Sequence, residues 1–260
     1  MTRAAVRDAL LATGFALAAA AVLTLWLSRP AQGQPDPLAR GRELYVVGCS
    51  SCHGANGDGV TTSDDKHRGP SLHDAGEAAA FYELSTGRMP LSNSGDQPER
   101  KRAAYNDEDI AALTAYVGSL GNGPKLPKVD VANADLSAGG ELYRANCAPC
   151  HSASGSGGAL SYGRAAPSLG AATPEEVGAA VRSGPSEMPT FGPDVLTPSE
   201  VDNIAAYVQY LRAPQDPGGL PIGRIGPVPE GFVAWFFGAG ALVLIVFWIG
   251  TRASTRSESS

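Results

Sequence analysis

The chain has 260 residues, with 20 Lys or Arg against 26 Asp or Glu, so its net charge is −6. This charge argues against nucleic acid as a partner, because nucleic-acid-binding surfaces are basic. Glycine and proline make up 52 of the 260 residues, a share well above the average of about 12%. Only 7% of residues are aromatic. We therefore expect small domains that bury little side-chain surface of their own.

The first predicted element is an apolar stretch of 18 residues without a charge, from Leu10 to Leu27. As a helix it would span about 27 Å, close to the thickness of a bilayer hydrocarbon core, about 30 Å. A cleaved signal peptide is the alternative, but its apolar region is usually about 7–15 residues long. We therefore expect residues 1–28 to form a retained N-terminal transmembrane anchor, followed by a proline-rich tether at 29–37.

Cysteine occurs at four positions only, and all four lie in two copies of one motif. Cys-x-x-Cys-His spans Cys49 to His53 and recurs from Cys147 to His151. This spacing is the attachment signature of a c-type haem. Two thiols so spaced can each form a thioether to one porphyrin, and the histidine then lies below the iron as an axial ligand. The sequence predicts two covalent haems, held by Cys49, Cys52, Cys147 and Cys150, with His53 and His151 on the iron.

Other uses of these cysteines fit the sequence less well. A zinc site usually has four Cys or His ligands at short range, whereas each motif offers three and the motifs lie 98 residues apart. A thioredoxin-like redox pair would need a βαβ context, which neither motif has. A disulfide leaves the histidine after each pair unexplained.

The residues around the two motifs repeat as well, which indicates an internal duplication. Each copy has Glu-Leu-Tyr before the motif, then Pro-Ser-Leu, Met-Pro and finally Ala-Tyr-Val, at offsets of 91 to 99 residues. We expect two tandem domains, domain 1 at 38–121 and domain 2 at 135–213. The linker between them, at 121–134, contains Pro124 and Pro127, which would stiffen it.

The two methionines other than the initiator, Met89 and Met188, fall 36 and 37 residues after the two motif histidines. Thioether sulfur is a soft ligand, and His/Met ligation raises the reduction potential of a haem. A methionine can also simply fill a gap in a core. The matching positions in the two copies favour Met89 and Met188 as the sixth iron ligands.

The two other histidines of domain 1 and two polar segments are expected to lie in loops and not to bind iron. Domain 1 contains His67 and His73, which could supply bis-His ligation, but domain 2 has no histidine besides His151. By analogy between the copies, we interpret His67 and His73 as loop residues. The glycine-rich run at 155–158 and the charged insert at 64–68 are expected to be exposed loops.

Helix signals are clear in the second half of each domain. Thr197-Pro198-Ser199-Glu200 is a capping box with proline at the first helical position, and it opens a helix with apolar residues at helical spacing. Asn106 to Leu120 repeats this pattern. Thr173 to Gly184 predicts a shorter helix, and Phe81 to Gly87 is its counterpart in domain 1. Because no convincing alternating strand pattern appears, the predicted fold class is all-α.

The last predicted element is a second apolar stretch, from Phe232 to Ile249, followed by Arg252 and Arg256. We expect a transmembrane helix at 232–250, reached through a Pro/Gly-rich extended stretch at 214–231. Arginines outside both apolar stretches place both termini in the cytoplasm. The protein would then cross the plasma membrane twice, in contact with its lipids, with the haem domains on the outer face, where c-type attachment occurs.

On these residues, each repeat resembles a class I cytochrome c domain. The resemblance rests on the Glu-Leu-Tyr of the first helix, the haem motifs, Gly57-Asp58-Gly59, the Pro-Ser-Leu and Met-Pro segments and the final helix. Domain 2 departs from it with Gly155-Ser156-Gly157-Gly158 in place of Gly-Asp-Gly. The whole chain resembles the dihaem cytochrome c subunit of the actinobacterial cytochrome bcc complex, a menaquinol–cytochrome c reductase, most specifically in its tail from Gly226 to Gly231.

This resemblance implies two tandem class I cytochrome c domains flanked by transmembrane helices, and it implies a function. In that family the subunit takes electrons from the Rieske iron–sulfur subunit, beside the cytochrome b subunit. It passes them to the copper site of a haem–copper oxidase in the same supercomplex. The chain would then be an electron-transfer subunit of a translocating quinol–cytochrome c reductase, without a substrate-converting site of its own.

Three other functions are compatible with two haem motifs. A dihaem cytochrome c peroxidase needs an open iron position for peroxide, and two His/Met sites would leave none. The dihaem subunit of another respiratory oxidase typically has an N-terminal anchor, so the C-terminal helix counts against it. A purely structural haem scaffold would stay redox-inert during quinol oxidation.

Overall fold

A computed structural model of the protein describes residues 11, 13–15, 17–24, 36–63, 66–91, 97–213 and 227–257. Parts of four predicted segments therefore lie outside the described residues. These segments are the N-terminal anchor at 1–28, the tether at 29–37, the insert at 64–68 and the extended stretch at 214–231.

From residue 36 onward the described chain is largely helical, with two short strand pairs. The helices are α1 (Pro37–Gly48), α2 (Ser50–His53), α3 (Gly76–Ser85), α4 (Asp107–Gly118), α5 (Leu136–Asn146), α6 (Ala148–His151), α7 (Pro174–Ser183), α8 (Pro198–Arg212) and α9 (Pro227–Ser257). The strands are β1 (Val60–Thr61), β2 (His67–Gly69), β3 (Gly158–Ala159) and β4 (Ala165–Ala166), and a short 3₁₀ turn, Ser161–Gly163, lies between β3 and β4.

The same helix crossing frames both domains, with α1 packed against α4 in domain 1 and α5 against α8 in domain 2. A glycine makes each crossing close. A Cβ added to Gly41 would lie 2.1 Å from the carbonyl oxygen of Ala112, and one added to Gly139 would lie 2.0 Å from that of Asn203. The first helix of each domain is thereby held against the last one, and this fixes the cysteine motif that follows the first helix.

The predicted helix starts in domain 2 are confirmed. Thr173 and Thr197 each form a complete capping box, with Glu176 and Glu200 respectively, so that two otherwise unsatisfied N–H groups are bonded at each start. The predicted apolar face of α8 is buried at Val201, Ile204, Ala205 and Val208. In domain 1, the side chain of Asn106 caps α4 by accepting a hydrogen bond from the N–H of Asp109.

Helix α3 differs from the sequence prediction, because it begins at Gly76 instead of Phe81 and ends at Ser85 instead of Gly87. Its start has no side-chain cap. The linker supplies the missing partner instead, since the carbonyl oxygen of Pro124 accepts from the N–H of Ala78 at 3.0 Å. A cap contributed by residues distant in sequence leaves no local signal, which is why the sequence placed the start too late.

The two strand pairs are also departures from the sequence prediction. Strand β1 pairs antiparallel with β2, and β3 with β4, and each strand is only two or three residues long, too short to show an alternating pattern. His67 therefore lies in a strand and not in a loop. The glycine-rich run at 155–158 is not a wholly exposed loop either, since Gly155 is buried and Gly158 belongs to β3.

The linker is bound to both domains. On the side of domain 1, Lys125 Nζ lies 3.0 Å from Glu77 Oε1. On the side of domain 2, Val129 and Val131 pack against the core, and the N–H of Asp130 donates to a side chain of α8 at 3.0 Å. The linker therefore restrains the two domains in addition to joining them.

Within the described residues, one helix is long and apolar enough to cross a membrane, by length and composition. It covers Gly231–Arg252, 22 residues of mean hydropathy 2.4, and none of its most apolar window is buried. At a rise of about 1.5 Å per residue it spans about 33 Å. The described part of the N-terminal apolar stretch forms a shorter apolar helix, Thr13–Thr24, in which Phe15 is exposed.

Candidate functional site

Each Cys-x-x-Cys-His motif forms a single helical turn directly after the first helix of its domain, as α2 and α6. The N–H of Cys49 donates to the carbonyl oxygen of Tyr45 at 2.8 Å, and the N–H of Cys147 donates to that of Tyr143 at the same distance. None of the four cysteines forms a disulfide with another. The helical turn brings the first cysteine, the second cysteine and the histidine of each motif together in the same way in both domains.

One ring nitrogen of each motif histidine is already occupied. His53 Nδ1 lies 2.8 Å from the carbonyl oxygen of Pro70, and His151 Nδ1 lies 2.9 Å from that of Pro167. Because a carbonyl oxygen only accepts, Nδ1 carries the proton and Nε2 keeps its free electron pair. A metal-ligating histidine is normally oriented by such a bond from its other nitrogen, and this bond is present at both motif histidines.

The local environment sets the protonation of these groups. Burial raises the pKa of the Cys49 thiol to about 11, and the neighbouring Cys52 contributes to the shift. Burial raises the pKa of the Cys147 thiol to about 11 in the same way. Burial lowers the pKa of His151, which favours the neutral imidazole, the form that binds a metal.

The sequence difference between Gly57-Asp58-Gly59 and Gly155-Ser156-Gly157 does not alter the backbone. The two glycines of each copy have positive φ, 82° and 84° in domain 1 and 72° and 87° in domain 2. The carbonyl oxygen of the first glycine accepts from the N–H of Leu72 or of Leu169, in both cases at 2.8 Å. The departure of domain 2 from the cytochrome c pattern is therefore confined to one side chain.

A cavity of about 370 Å³ in domain 2 brings the four predicted site residues of that domain together. Cys147, Cys150, His151 and Met188 all line it, and most of its wall is apolar. Met188 reaches it from the loop after α7, and its side chain packs against the same core as Cys147. The structure thus places the thioether of Met188 and the imidazole of His151 on one cavity, as a six-coordinate iron would require.

Domain 1 has the equivalent arrangement of residues. Cys49 and Met89 both pack against its hydrophobic core. The loop after α3 that carries Met89 is held by its backbone, because the N–H of Met89 donates to the carbonyl oxygen of Glu83 at 3.0 Å. The predicted thiol and thioether of domain 1 therefore meet at one core, as they do in domain 2.

The two remaining histidines have other partners. His73 Nε2 lies 3.0 Å from a carboxylate oxygen of Asp58, and its Nδ1 lies 2.8 Å from the carbonyl oxygen of Leu120. His67 Nδ1 lies 3.0 Å from the hydroxyl of Thr61. His73 has no free ring nitrogen, which excludes it as an iron ligand in this arrangement. Among the described residues, no group of three or more His, Cys, Asp or Glu is arranged to hold a metal ion, which gives the zinc alternative no support.

Sequence reasoning missed the residues of domain 1 that reach the cavity of domain 2. Helix α3 packs against α7, and Arg100 forms an ion pair with the buried Glu176. The side-chain amide of Gln97 bonds the backbone of Ala165 through both its atoms, at 2.8 and 3.1 Å. Arg88 lines the same cavity. No motif connects these residues, and only the docking of the two domains brings them to one site.

The residues present fit a c-type haem in each domain. Two free thiols, an imidazole with an available Nε2 and a thioether are the donor set that such a group needs, and in domain 2 they surround a largely apolar cavity. Cys49, Cys52, His53 and Met89 would hold the haem of domain 1, and Cys147, Cys150, His151 and Met188 that of domain 2. A haem bound in this way supplies reversible one-electron exchange at iron.

Comparison with protein families shows that both halves are similar to known cytochromes. A family model described as cytochrome c matches residues 38–121. A model described as cytochrome c oxidase, cbb3-type, subunit III matches residues 134–208. The two matches fall on the two halves of the duplication, each with one motif.

Individual relatives cover much more of the chain. The cytochrome bc1 complex cytochrome c subunit of Mycobacterium leprae is 40% identical over 224 residues, covering 83% of this chain and 76% of that protein. The subunit of the same name from Corynebacterium efficiens is 36% identical over 233 residues, covering 83% and 77%. The cbb3-type cytochrome c oxidase subunit FixP of Sinorhizobium medicae is 33% identical over 140 residues, covering 45% and 46%.

Proposed function

We propose a specific role in electron transfer for this chain, which belongs to the family of cytochrome c subunits of the bacterial cytochrome bc1 complex. The chain would receive electrons from the Rieske iron–sulfur subunit of a menaquinol-oxidising complex that also contains a cytochrome b subunit. It would pass them through its two haems to the copper site of a haem–copper terminal oxidase. In this role the chain replaces a soluble carrier, because both haems belong to one polypeptide.

The observation that carries this proposal is the convergence of Cys147, Cys150, His151 and Met188 on one cavity in domain 2, with an equivalent residue set in domain 1. In each domain a histidine and a methionine would both hold the iron and leave no position on it for a substrate. A haem held by these two residues would supply electron exchange without substrate conversion. This is the property that separates a relay from a peroxidase, and we infer no substrate-converting site.

The docking of the two domains supports a relay through both of them. The ion pair between Arg100 and Glu176 and the bonds of Gln97 to Ala165 join domain 1 to the wall of the cavity of domain 2. The linker adds one hydrogen bond to each of the two domains. A fixed arrangement of two cofactors favours direct electron exchange between them, because the rate depends on the distance that separates them.

For the membrane arrangement, we propose that the chain crosses the plasma membrane at both ends, with both termini in the cytoplasm and the haem domains outside. The apolar helix Gly231–Arg252 is the stronger support, by its length and exposure. Trp248 near its end lies under the guanidinium of Arg252, at 4.5 Å, and aromatic and basic residues commonly meet at the membrane interface. The N-terminal apolar stretch would supply the second crossing.

A second candidate function is that of a haem subunit of a cbb3-type oxidase. The family match at residues 134–208 favours it, and so does the similarity to FixP. The latter covers only 45% of this chain, whereas the bc1 relatives cover 83%. The broader similarity is the reason to prefer the bc1 complex.

Purification from native membranes through a tag on this chain would test the assignment. We expect the Rieske and cytochrome b subunits to co-elute, and menaquinol to reduce two covalent haems in the purified assembly. The double variant Cys147→Ser, Cys150→Ser should interrupt electron delivery to the oxidase. Ala145→Ser, an exposed change next to the motif, is the control and should not. Co-elution of an oxidase core without the Rieske subunit would overturn the proposal in favour of the cbb3-type alternative.

A further inference from the structure

A buried cation of domain 1 lies at the cavity of domain 2. Arg88 is 7% exposed and lines that cavity together with Tyr82 and Arg100. Its guanidinium carbon lies 4.7 Å from the centre of the Tyr82 ring, within the distance of a cation–π contact. Because an uncompensated buried charge is costly, the position of Arg88 at this cavity requires an anion nearby.

The part of the fold that the structure describes does not supply a hydrogen-bond partner for Arg88 Nη1. Nη1 of Arg88 is buried and has no hydrogen-bond acceptor among the described residues. Arg182 in domain 2 is equally buried, but its Nη1 donates to the carbonyl oxygens of Phe191 and Leu196, at 2.9 and 2.7 Å. A guanidinium with a purely structural role, such as that of Arg182, donates to backbone carbonyl oxygens. Arg88, in contrast, has a buried N–H donor without an acceptor.

The internal duplication shows that the methionine loop does not itself need this arginine. Glu187 occupies the position before Met188, as Arg88 does before Met89. Glu187 is about half-exposed and lies 3.0 Å from Arg164. A buried arginine directly before the methionine is therefore found in domain 1 and not in domain 2, and it belongs to the domain whose loop lines the cavity of the other.

Glu83 is the nearby acid that could have served as the partner, but it does not. Its Oε2 is also buried without a hydrogen-bond partner, so neither group satisfies the other. Burial raises the pKa of Glu83, an effect that the charge of Arg88 only partly opposes. Among the described residues no acceptor remains for Nη1 of Arg88, and the occupant of the cavity is a further source of one.

We propose that Arg88 of domain 1 binds a carboxylate of the porphyrin held in domain 2. The inference rests on the proposed function, since it requires a haem in that cavity, and the two propionates of a haem are the carboxylates available there. Arginine suits this task because its planar donors bind a carboxylate in pairs. Neighbouring residues, Arg88 and Met89, would then bind the carboxylate of one haem and the iron of the other.

The proposal has a consequence that can be measured. Reduction lowers the positive charge on the iron, and a fixed cation beside the haem therefore favours the ferrous form. Removal of Arg88 leaves the carboxylate uncompensated, which favours the ferric form and lowers the reduction potential. The fall should appear in the haem of domain 2, although the substitution is made in domain 1.

Redox titration of the full-length, haem-loaded chain would test this. A Met188→His variant identifies the midpoint of domain 2, because the loss of the sulfur ligand lowers that midpoint. We expect Arg88→Gln to lower the same midpoint and to leave that of domain 1 in place. Arg102→Gln, a change at an exposed arginine nearby, should move neither. Glu83→Gln should not reproduce the fall, since Glu83 is not the partner of Arg88.

Each outcome of the redox titration supports or overturns the role of Arg88. Unchanged midpoints in Arg88→Gln, or a fall confined to the haem of domain 1, would overturn the proposal. If Arg88→Gln does not assemble with both haems, Arg88→Met, which removes the charge and keeps much of the bulk, should lower the domain 2 midpoint, and an unchanged midpoint there would overturn the proposal too. The mass of the same preparations counts the porphyrins. A chain without any bound porphyrin would refute the proposed function. Two bound porphyrins with unchanged midpoints would refute only the role of Arg88.

Discussion

Replacing Gly139 with alanine tests the helix crossing that frames the haem site of domain 2. Gly139 lies inside α5, where alanine is favoured over glycine by about 1 kcal/mol on helix propensity alone. At this position, however, the added Cβ would lie 2.0 Å from the carbonyl oxygen of Asn203 on α8. Helix propensity would raise the stability of the variant and the steric clash would lower it. The sign of the measured change in stability therefore shows which effect is larger.

The size of the effect follows from the overlap. Ordinary contact begins near 3.4 Å, so α5 and α8 would have to separate by about 1.4 Å. The obstacle is backbone, which cannot turn aside as a side chain can, and this puts the cost near the upper end of overpacking, about 3 kcal/mol. After the propensity gain of about 1 kcal/mol, Gly139→Ala should destabilise domain 2 by about 2 kcal/mol. For a domain of this size that lowers Tm by roughly 8–16 °C.

Thermal unfolding of the full-length chain, followed by far-ultraviolet circular dichroism, would measure this shift. Ala145→Gly, on the exposed side of the same helix, is the control for propensity, and it should destabilise by up to about 1 kcal/mol. Gly41→Ala should produce an equivalent loss in domain 1, where the added Cβ would lie 2.1 Å from the oxygen of Ala112. A Gly139→Ala protein as stable as the parent would refute the close crossing.

Three further results are expected. Met89→Ala and Met188→Ala should each remove about half of the weak charge-transfer absorbance of sulfur-ligated ferric haem, and full absorbance in both would refute the ligand assignment. The hydrogen bond to Asp58 is the main reason that the pKa of His73 is raised above its ordinary value of about 6.5. Its contribution to stability should therefore be complete below about pH 6.5 and fade as pH rises through the folded pKa. His73→Gln should abolish this dependence of Tm on pH, and an unchanged profile would contradict it. Thr173→Ala should cost about 1 kcal/mol in thermal unfolding through the lost cap, and no change would count against the capping box.

Local sequence patterns predicted the residues that would hold the haems. The two cysteine motifs, the position of Met89 and Met188 and the capping box at Thr173 each depend on residues close together in the chain. The structure places the methionine of each domain at the same core as the first motif cysteine. Duplication strengthened these predictions, because each feature could be checked against its copy.

Features that depend on distant residues could not be predicted in this way. Helix α3 begins at Gly76 because the linker carbonyl of Pro124 bonds its first turn, and nothing in the local sequence marks that start. The strand pairs are too short to produce an alternating pattern. Analogy between the copies predicted a loop at His67, but this residue lies in β2.

The sequence by itself determined which side chains can hold a porphyrin and its iron, because spacing along the chain sets the geometry of a single helical turn. Only the tertiary structure decided that α3 of one domain packs against α7 of the other, and that the loop after α3 brings Arg88 to the cavity of domain 2. The physical reason is that docking depends on complementary surfaces of two folded units. Arg88 occupies a position where the duplicated copies differ, with Glu187 as its counterpart, so comparison of the repeats could not reveal its place at this cavity.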